Sequence, residues 1–188
     1  MKKYIRIVGG QFRRTPIEVI EADGLRPTPD RVRETLFNWL NFFWQGDFQS
    51  KRVLDLFAGS GALGFEAASR GAASVVLADA SSDCVAALHK AKDRLGAAQL
   101  RIQRSDGLAV LRQLPVASQD VVFLDPPYDY PHHELALKLA QQCLKPEGLV
   151  YLETDKTWRD ERLHPLGWTL WRHLKAGSVH AHLLRAGA

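Results

Sequence analysis

The sequence predicts an α/β fold with a mostly parallel sheet of seven strands, an antiparallel C-terminal hairpin, and an N-terminal β-hairpin and helix. From residue 52 onward, short apolar runs alternate with segments of helical period, which is typical of βαβ units. The last two runs are joined by a short Gly-containing loop, which indicates a hairpin. The predicted strands are residues 52–57, 74–78, 100–103, 121–124 and 149–153, followed by the hairpin strands 168–174 and 179–185.

Three amphipathic segments between these strands predict the helices of the sheet. They cover residues 62–70, 83–95 and 133–144, and the first two end at Gly71 and Gly96. Glycine readily adopts the left-handed conformation that closes a helix. Because the strands are apolar throughout, both faces of the sheet must be buried, and we expect helices on both sides.

The N-terminal segment predicts a hairpin followed by a helix. Residues 4–8 and 12–19 flank two glycines, and the helix opens with Thr28 as its cap and Pro29 at its first position. Its buried stripe would contain Val32, Leu36, Leu40 and Phe43. We expect residues 1–48 to form a basic extension of the core, residues 49–188, within a single domain spanning 1–188.

Composition indicates a cytoplasmic protein without a membrane segment. The 188 residues are 46% hydrophobic, enough for one core, and no apolar run approaches the roughly 18 residues of a membrane span. The N-terminus lacks a secretory signal. Only Cys84 and Cys143 occur, both in apolar helical patterns, so we expect two reduced, buried thiols and no metal site. We expect a monomer.

Positive charge is concentrated at the N-terminus. Residues 1–33 contain eight Lys and Arg residues against four Asp and Glu, which accounts for the whole net charge of +4. Since phosphate contacts come mainly from Lys and Arg, this segment predicts a surface that faces a polyanion.

A glycine-rich turn follows the first predicted core strand. Gly59, Gly61 and Gly64 have the G-x-G-x-x-G spacing, which allows a tight turn and a close approach of the backbone to a ligand. Asp79 follows 20 positions after Gly59, at a strand end where a carboxylate can bind ribose hydroxyls. These residues alone also fit a nicotinamide-dependent oxidoreductase.

Two further carboxylates favour S-adenosylmethionine over a dinucleotide. Asp55 precedes the glycine turn, where it would repel a pyrophosphate but attract a sulfonium or ammonium group. Asp106 follows the third strand and can accept a hydrogen bond from an adenine amino group, although it can equally cap a helix. The predicted cofactor-binding residues are Asp55, Phe57, Gly59, Ser60, Gly61, Asp79, Ala80, Asp106 and Gly107.

The tetrapeptide Asp125-Pro126-Pro127-Tyr128 follows an apolar strand and is similar to the D/N/S-P-P-Y/F/W motif of amino-methyltransferases. This resemblance implies methylation of an exocyclic amine of a nucleobase. Asp125 and the Pro126 carbonyl can accept the two amine hydrogens, and the prolines fix a rigid loop. Tyr128 offers a stacking face. We expect all four to be catalytic, with in-line transfer and no metal.

Several longer segments resemble the RsmD family of bacterial guanine-N2 methyltransferases. They are RIVGG (6–10), LRPT (25–28), DRVRETLFNWL (30–40), LDLFAGSG (54–61) and DPPY (125–128). The resemblance implies a Rossmann-like methyltransferase sheet, S-adenosylmethionine as cofactor and a guanine of 16S ribosomal RNA as substrate, either naked or in an assembled small subunit. The RNA-binding candidates are Arg6, Arg13, Arg14, Arg26, Arg31 and Arg33.

Other functions stay open on the residues alone. The tetrapeptide does not identify the base, so adenine-N6 or DNA methylation is the nearest alternative. The oxidoreductase explains the glycine turn but gives the tetrapeptide no role. A non-catalytic RNA-binding protein that has kept a cofactor pocket is the third alternative.

Overall fold

The seven-stranded sheet is mostly parallel, as predicted. A computed structural model describes residues 3–20, 28–127 and 129–187. The strands are β1 (Lys3–Arg6), β2 (Pro16–Val19), β3 (Arg52–Leu56), β4 (Ser74–Asp79), β5 (Leu100–Arg104), β6 (Gln119–Leu124), β7 (Leu144–Thr154), β8 (Trp168–Ala176) and β9 (Val179–Ala186). The helices are α1 (Asp30–Phe43), α2 (Ala62–Ser69), α3 (Ser82–Leu95), α4 (Gly107–Gln113), α5 (His133–Cys143) and α6 (Asp160–Leu163).

Strand order places β3 and β6 side by side at the centre of the sheet. The order is β5-β4-β3-β6-β7-β9-β8, and β1 and β2 form a separate hairpin. Strands β3 to β7 are parallel, whereas β9 is antiparallel to β7 and β8. The chain runs outward from β3 in one direction and from β6 in the other. Their carboxyl ends therefore flank the crevice in which ligands bind in open α/β sheets.

Helices cover both faces of the sheet, which confirms the prediction from the apolar strands. One hydrophobic cluster contains Leu36, Phe65 and Leu88, from α1, α2 and α3. The other contains Leu111 and Leu137, from α4 and α5. Nowhere in the described ranges is there a helix long and apolar enough to cross a membrane.

Several local features differ from the sequence prediction, among them the second hairpin strand, which begins at Pro16, and the short helix α6, which was not predicted. Helix α4 was not predicted, because its seven residues are too few to give a clear helical period. The start of α1 was assigned one residue early, because Pro29 occupies the cap position and makes no side-chain cap bond. Thr28 is therefore not a cap. Its side chain is buried, and its hydroxyl contacts two carboxyl groups of the candidate site.

A buried glutamate fastens the N-terminal hairpin to the core. Glu66, on α2, is fully buried and accepts hydrogen bonds from the backbone amides of Val8 (2.8 Å) and Gly9 (2.9 Å). It also accepts one from Arg70 Nε at 2.8 Å, and Arg33 Nε lies 3.8 Å from its carboxylate. Because an unpaired buried charge is costly, these contacts hold the extension against the helix that leaves the glycine turn.

Glu66→Gln is expected to lower the free energy of unfolding by about 3 kcal/mol, since it removes the buried negative charge that faces Arg33 and Arg70. Urea unfolding of the variant measures the loss. Glu34→Gln makes the same change at an exposed position of α1 and should alter stability by less than about 0.5 kcal/mol. Equal losses in both variants would contradict the anchoring role.

Candidate active site

Two loops meet at the carboxyl ends of β3 and β6. Leu56 and Leu124, the last residues of these strands, are paired in the parallel register. The loop after β3 is the glycine turn, and the loop after β6 contains Asp125, Pro126 and Pro127. The rings of Phe57 and Tyr130 contact each other edge to face, with centroids 4.9 Å apart. The structure therefore brings the glycine turn close to the loop that contains Asp125, Pro126 and Pro127.

Asp79 holds the glycine turn in shape. Its Oδ2 accepts a hydrogen bond from the amide of Gly59 at 2.8 Å, and its Oδ1 accepts one from the amide of Ser81 at the same distance. Gly59 and Gly61 have φ of 54° and 76°, which explains the need for glycine at both positions. A carboxylate has about four lone-pair sites, so Asp79 retains capacity for a ligand hydroxyl.

Asp55 bonds a backbone amide in the first turn of α2. Its Oδ2 accepts a hydrogen bond from the amide of Gly64, in the first turn of α2, at 2.8 Å. An added Cβ at Gly64 would lie 2.3 Å from Leu77 Cδ2, so this glycine permits close packing of helix and sheet. Burial, reinforced by the negative charge of Asp79, raises the pKa of Asp55 to about 7 despite the Gly64 amide. The protein's own carboxyl group thus fills an amide site that phosphates use.

Asp106 caps α4 and also lies at the rim of the site. Its Oδ1 accepts hydrogen bonds from the amides of Leu108 (3.0 Å) and Ala109 (3.1 Å), so the capping interpretation is confirmed. Its side chain is exposed. Gly107 packs under the Phe57 ring, where a Cβ would lie 2.8 Å from Phe57 Cζ. Of the other predicted cofactor residues, Ser60 is half-buried and Ala80 is exposed.

Asp125 is half-buried and contacts a small network of buried polar groups. The Thr28 hydroxyl lies 3.1 Å from Asp125 Oδ2 and 3.2 Å from Glu153 Oε2, and Tyr151 donates to Glu153 Oε2 at 2.7 Å. Burial and the charge of Glu153 raise the pKa of Asp125 well above its usual value. Burial also raises the pKa of Glu153.

Sequence reasoning did not single out Glu153 or assign Thr28 to the site. Glu153 could have been found, because it ends a predicted strand in the way that Asp55 ends another. Thr28 gave no such signal, since it contacts residues 97 and 125 positions away and a Thr-Pro pair is an ordinary helix start.

An aromatic cluster lines the far side of the proline loop. The amide of Tyr130 donates to the Pro127 carbonyl at 2.9 Å, which closes a turn, and its ring packs against His133. The Tyr130 hydroxyl is buried without a hydrogen bond in the described part of the chain. Burial raises the pKa of Tyr130 and lowers that of His133. Both rings are therefore neutral at pH 7 and can form an apolar wall.

The RNA-binding candidates fall into three groups. Arg6, Arg13, Arg14 and Arg31 are exposed on the hairpin and α1. Arg26 and the catalytic candidate Tyr128 lie outside the described residues. Arg33 is a correction, because its side chain is only 1% exposed and donates to the Arg6 carbonyl at 2.6 Å and to Asp30 at 2.9 Å. It packs the extension onto the core and cannot face RNA.

Three histidines of the terminal hairpin also lie together. The rings of His173, His180 and His182 stack across β8 and β9, and His182 accepts a hydrogen bond from the amide of Trp158 at 2.9 Å. Burial lowers the pKa of His182 to about 4. Among the described residues, no group of three His, Cys, Asp or Glu side chains could hold a metal ion.

Asp55→Asn is expected to change how stability depends on pH. The folded protein holds the Asp55 proton up to about pH 7, whereas the unfolded chain loses it near 3.8. The stabilisation from this proton is complete below the unfolded pKa and is lost as pH rises through 7. Relative to wild type, the Asp55→Asn variant should therefore gain about 2–4 kcal/mol of unfolding free energy between pH 4 and pH 8. Asp93→Asn, on the exposed face of α3, is the control and should show no such trend.

Comparisons with known proteins agree with the fold and the motifs. A family model described as Conserved hypothetical protein 95 matches residues 5–185. The Ribosomal RNA small subunit methyltransferase D of Haemophilus influenzae is 37% identical over 187 residues, covering 97% of this chain and 94% of that protein. Its namesake in Escherichia coli K12 is 38% identical over 186 residues, covering 98% and 91%. The solved structure of yhhF from Escherichia coli has a TM-score of 0.82 at 34% identity and covers 99% of both chains. The chain belongs to the Conserved hypothetical protein 95 family, which is the RsmD family that its motifs resemble.

Proposed function

We propose that the protein methylates the exocyclic N2 amine of a guanine in small-subunit ribosomal RNA, with S-adenosylmethionine as the methyl donor. One observation carries the proposal. Asp125 and its proline loop follow β6, directly beside the glycine turn that follows β3. A cofactor held by the turn and a base held by the proline loop would therefore be neighbours, as direct transfer between them requires.

The residues around the glycine turn fit S-adenosylmethionine better than a nicotinamide dinucleotide. Asp55 already accepts the Gly64 amide, so a pyrophosphate there would lose a donor and meet a carboxyl group. A sulfonium or amino group would instead be attracted. Asp79 is placed to accept ribose hydroxyls, and Asp106 an adenine amine. When bound, this cofactor supplies an electrophilic methyl group.

The proline loop fits the acceptor amine. An exocyclic amine is a weak nucleophile because its lone pair is delocalised into the ring. Asp125 and the Pro126 carbonyl would accept its two hydrogens and direct the lone pair toward the methyl group, and the fixed φ of the prolines holds both acceptors in place. Tyr128 would stack on the base, which contributes roughly 1–3 kcal/mol.

The choice of a guanine in 16S RNA rests on family membership. The relatives with the name Ribosomal RNA small subunit methyltransferase D span nearly the whole chain, and the DPPY tetrapeptide does not identify the base. Arg6, Arg13, Arg14 and Arg31 would contact RNA phosphates, since all four are exposed on one extension of the core. The substrate is either naked 16S RNA or the assembled small subunit.

The direct test incubates the purified protein and S-adenosylmethionine with naked 16S RNA or with small subunits, both from cells that lack the enzyme. Nucleoside mass spectrometry is expected to detect N2-methylguanosine with at least one of them. N6-methyladenosine as the product would overturn the choice of base. Asp125→Ala should reduce the rate at least about a hundredfold with little change in RNA affinity. An unchanged rate in that variant would contradict the catalytic role of Asp125.

Arg13→Ala combined with Arg14→Ala is expected to weaken RNA binding at all sequences alike. Losing two phosphate contacts should also make the RNA association constant less sensitive to salt. The magnitude of the slope of log K against the logarithm of the salt concentration should fall by about 2. Arg112→Ala combined with Lys138→Ala is the matched control, because both residues are exposed on α4 and α5, which pack on the other face of the sheet from the hairpin. Equal effects in both pairs would refute a specific RNA-facing role for the hairpin.

A further inference from the structure

The Thr28 hydroxyl lies between two carboxyl groups that would repel each other if both were ionised. It is 3.1 Å from Asp125 Oδ2 and 3.2 Å from Glu153 Oε2. Thr28 and Glu153 are each only 3% exposed and Asp125 is half-buried, so little water can lie between the two carboxyl groups. The threonine therefore connects the end of β6 to the end of β7.

The two contacts of the Thr28 hydroxyl cannot both use its own hydrogen. A hydroxyl has one hydrogen to donate, so it can bond to only one ionised carboxylate at a time. The second contact becomes a hydrogen bond only when the other carboxyl group is protonated and donates to Thr28 Oγ1. Both observed distances are within hydrogen-bonding range, and they fit a pair of acids that shares one proton.

We propose that Asp125, Thr28 and Glu153 form a relay with room for one proton, and that this relay receives the proton that the substrate amine loses on methylation. The inference rests on the proposed function and adds two positioning residues to it. Thr28 and Glu153 act through Asp125, which alone would touch the base.

The surroundings of the relay favour a shared proton over two free charges. Asp125 faces Asp55 from β3, whose charge opposes ionisation. Glu153 faces Tyr151 on its own strand, while its register partner on β9 is Ala181, which carries no charge. From α1, Arg33 donates to the Thr28 carbonyl at 3.4 Å and so fixes the residue that bridges the pair. Burial raises the pKa of both acids.

The charges balance across the reaction. The amine lone pair forms the N–C bond as the C–S bond breaks, and the electron pair of that bond stays on sulfur. The positive charge is then on the amine nitrogen, which releases a proton to Asp125. Asp125 donates to Thr28 Oγ1 as the Thr28 hydrogen moves to Glu153. One carboxylate is neutralised as one sulfonium charge disappears, so the net charge of the buried site is unchanged.

The first test counts protons without RNA. In the free protein the relay holds its proton, and a bound cation should displace it. Calorimetric titration in buffers of different ionisation enthalpy is expected to show that wild type releases nearly one proton more with S-adenosylmethionine than with S-adenosylhomocysteine, which lacks the sulfonium charge. Glu153→Gln should lose most of that difference. Asp55 contributes equally in both proteins, and Glu161→Gln, exposed on α6, should match wild type.

The second test measures single-turnover methyl transfer against pH. Glu153→Gln removes a negative charge beside Asp125, so the pKa of Asp125 should fall. The acid limb of the plot of methyl-transfer rate against pH should therefore move to lower pH. The maximal rate of methyl transfer, at the plateau of this plot, should also fall roughly tenfold to a hundredfold, because a weaker base accepts the proton less readily. Thr28→Val should lower the plateau similarly, and Thr28→Ser, which keeps the hydroxyl, should recover most of the loss.

The outcomes separate the relay from the proposed function. If wild type methylates RNA but Glu153→Gln keeps the wild-type proton count and acid limb, the relay is wrong and the function stands. If wild type methylates no RNA, the function is wrong, yet the proton count still tests the shared proton. A lowered plateau with an unmoved acid limb would show that Glu153 is merely structural and would overturn the relay.

Discussion

Buried and half-buried carboxyl groups near the carboxyl ends of adjacent parallel strands are the constraint on which the rest of this structure depends. Asp55 and Glu153 are the next-to-last residues of β3 and β7, Asp125 directly follows β6, and the three strands are neighbours in the sheet. Ionising all three in a dry crevice is costly, and the available hydrogen bonds offset only part of that cost. The crevice therefore favours protons or a cation, and it disfavours a phosphorylated ligand.

The N-terminal extension completes this crevice as well as enlarging the surface. Glu66 ties the hairpin to α2, which begins at the glycine turn, and Arg33 connects the hairpin to the segment that carries Thr28. The hydroxyl between Asp125 and Glu153 is thus positioned by contacts that begin at residue 6. A change in the hairpin that loosens this anchoring would reach the catalytic aspartate through Thr28, without touching it directly.

Patterns along the chain predicted most of the fold and half of the site. Apolar runs located all seven strands of the main sheet, and the glycine turn and Asp125 follow neighbouring strands. What sequence could not give are contacts between distant segments, because periodicity and motifs describe local structure only. Arg33 was assigned to RNA by its charge, whereas its contacts with the Arg6 carbonyl and with Glu66, 27 and 33 positions away, explain why it is buried. Thr28 was assigned to a helix cap from its local sequence, because its contacts with Asp125 and Glu153 join segments far apart in the chain.

The charges of the hairpin and of the crevice limit how a nucleic acid can approach. The exposed arginines of the hairpin attract phosphates, whereas the described residues beside Asp125 include carboxyl groups and neutral rings. A paired helix pushed into the crevice would bring its phosphates against Asp55 and Asp106. A single uncharged base turned away from its backbone avoids this repulsion and gains stacking. The electrostatics thus favour an extruded base as substrate, whatever its identity.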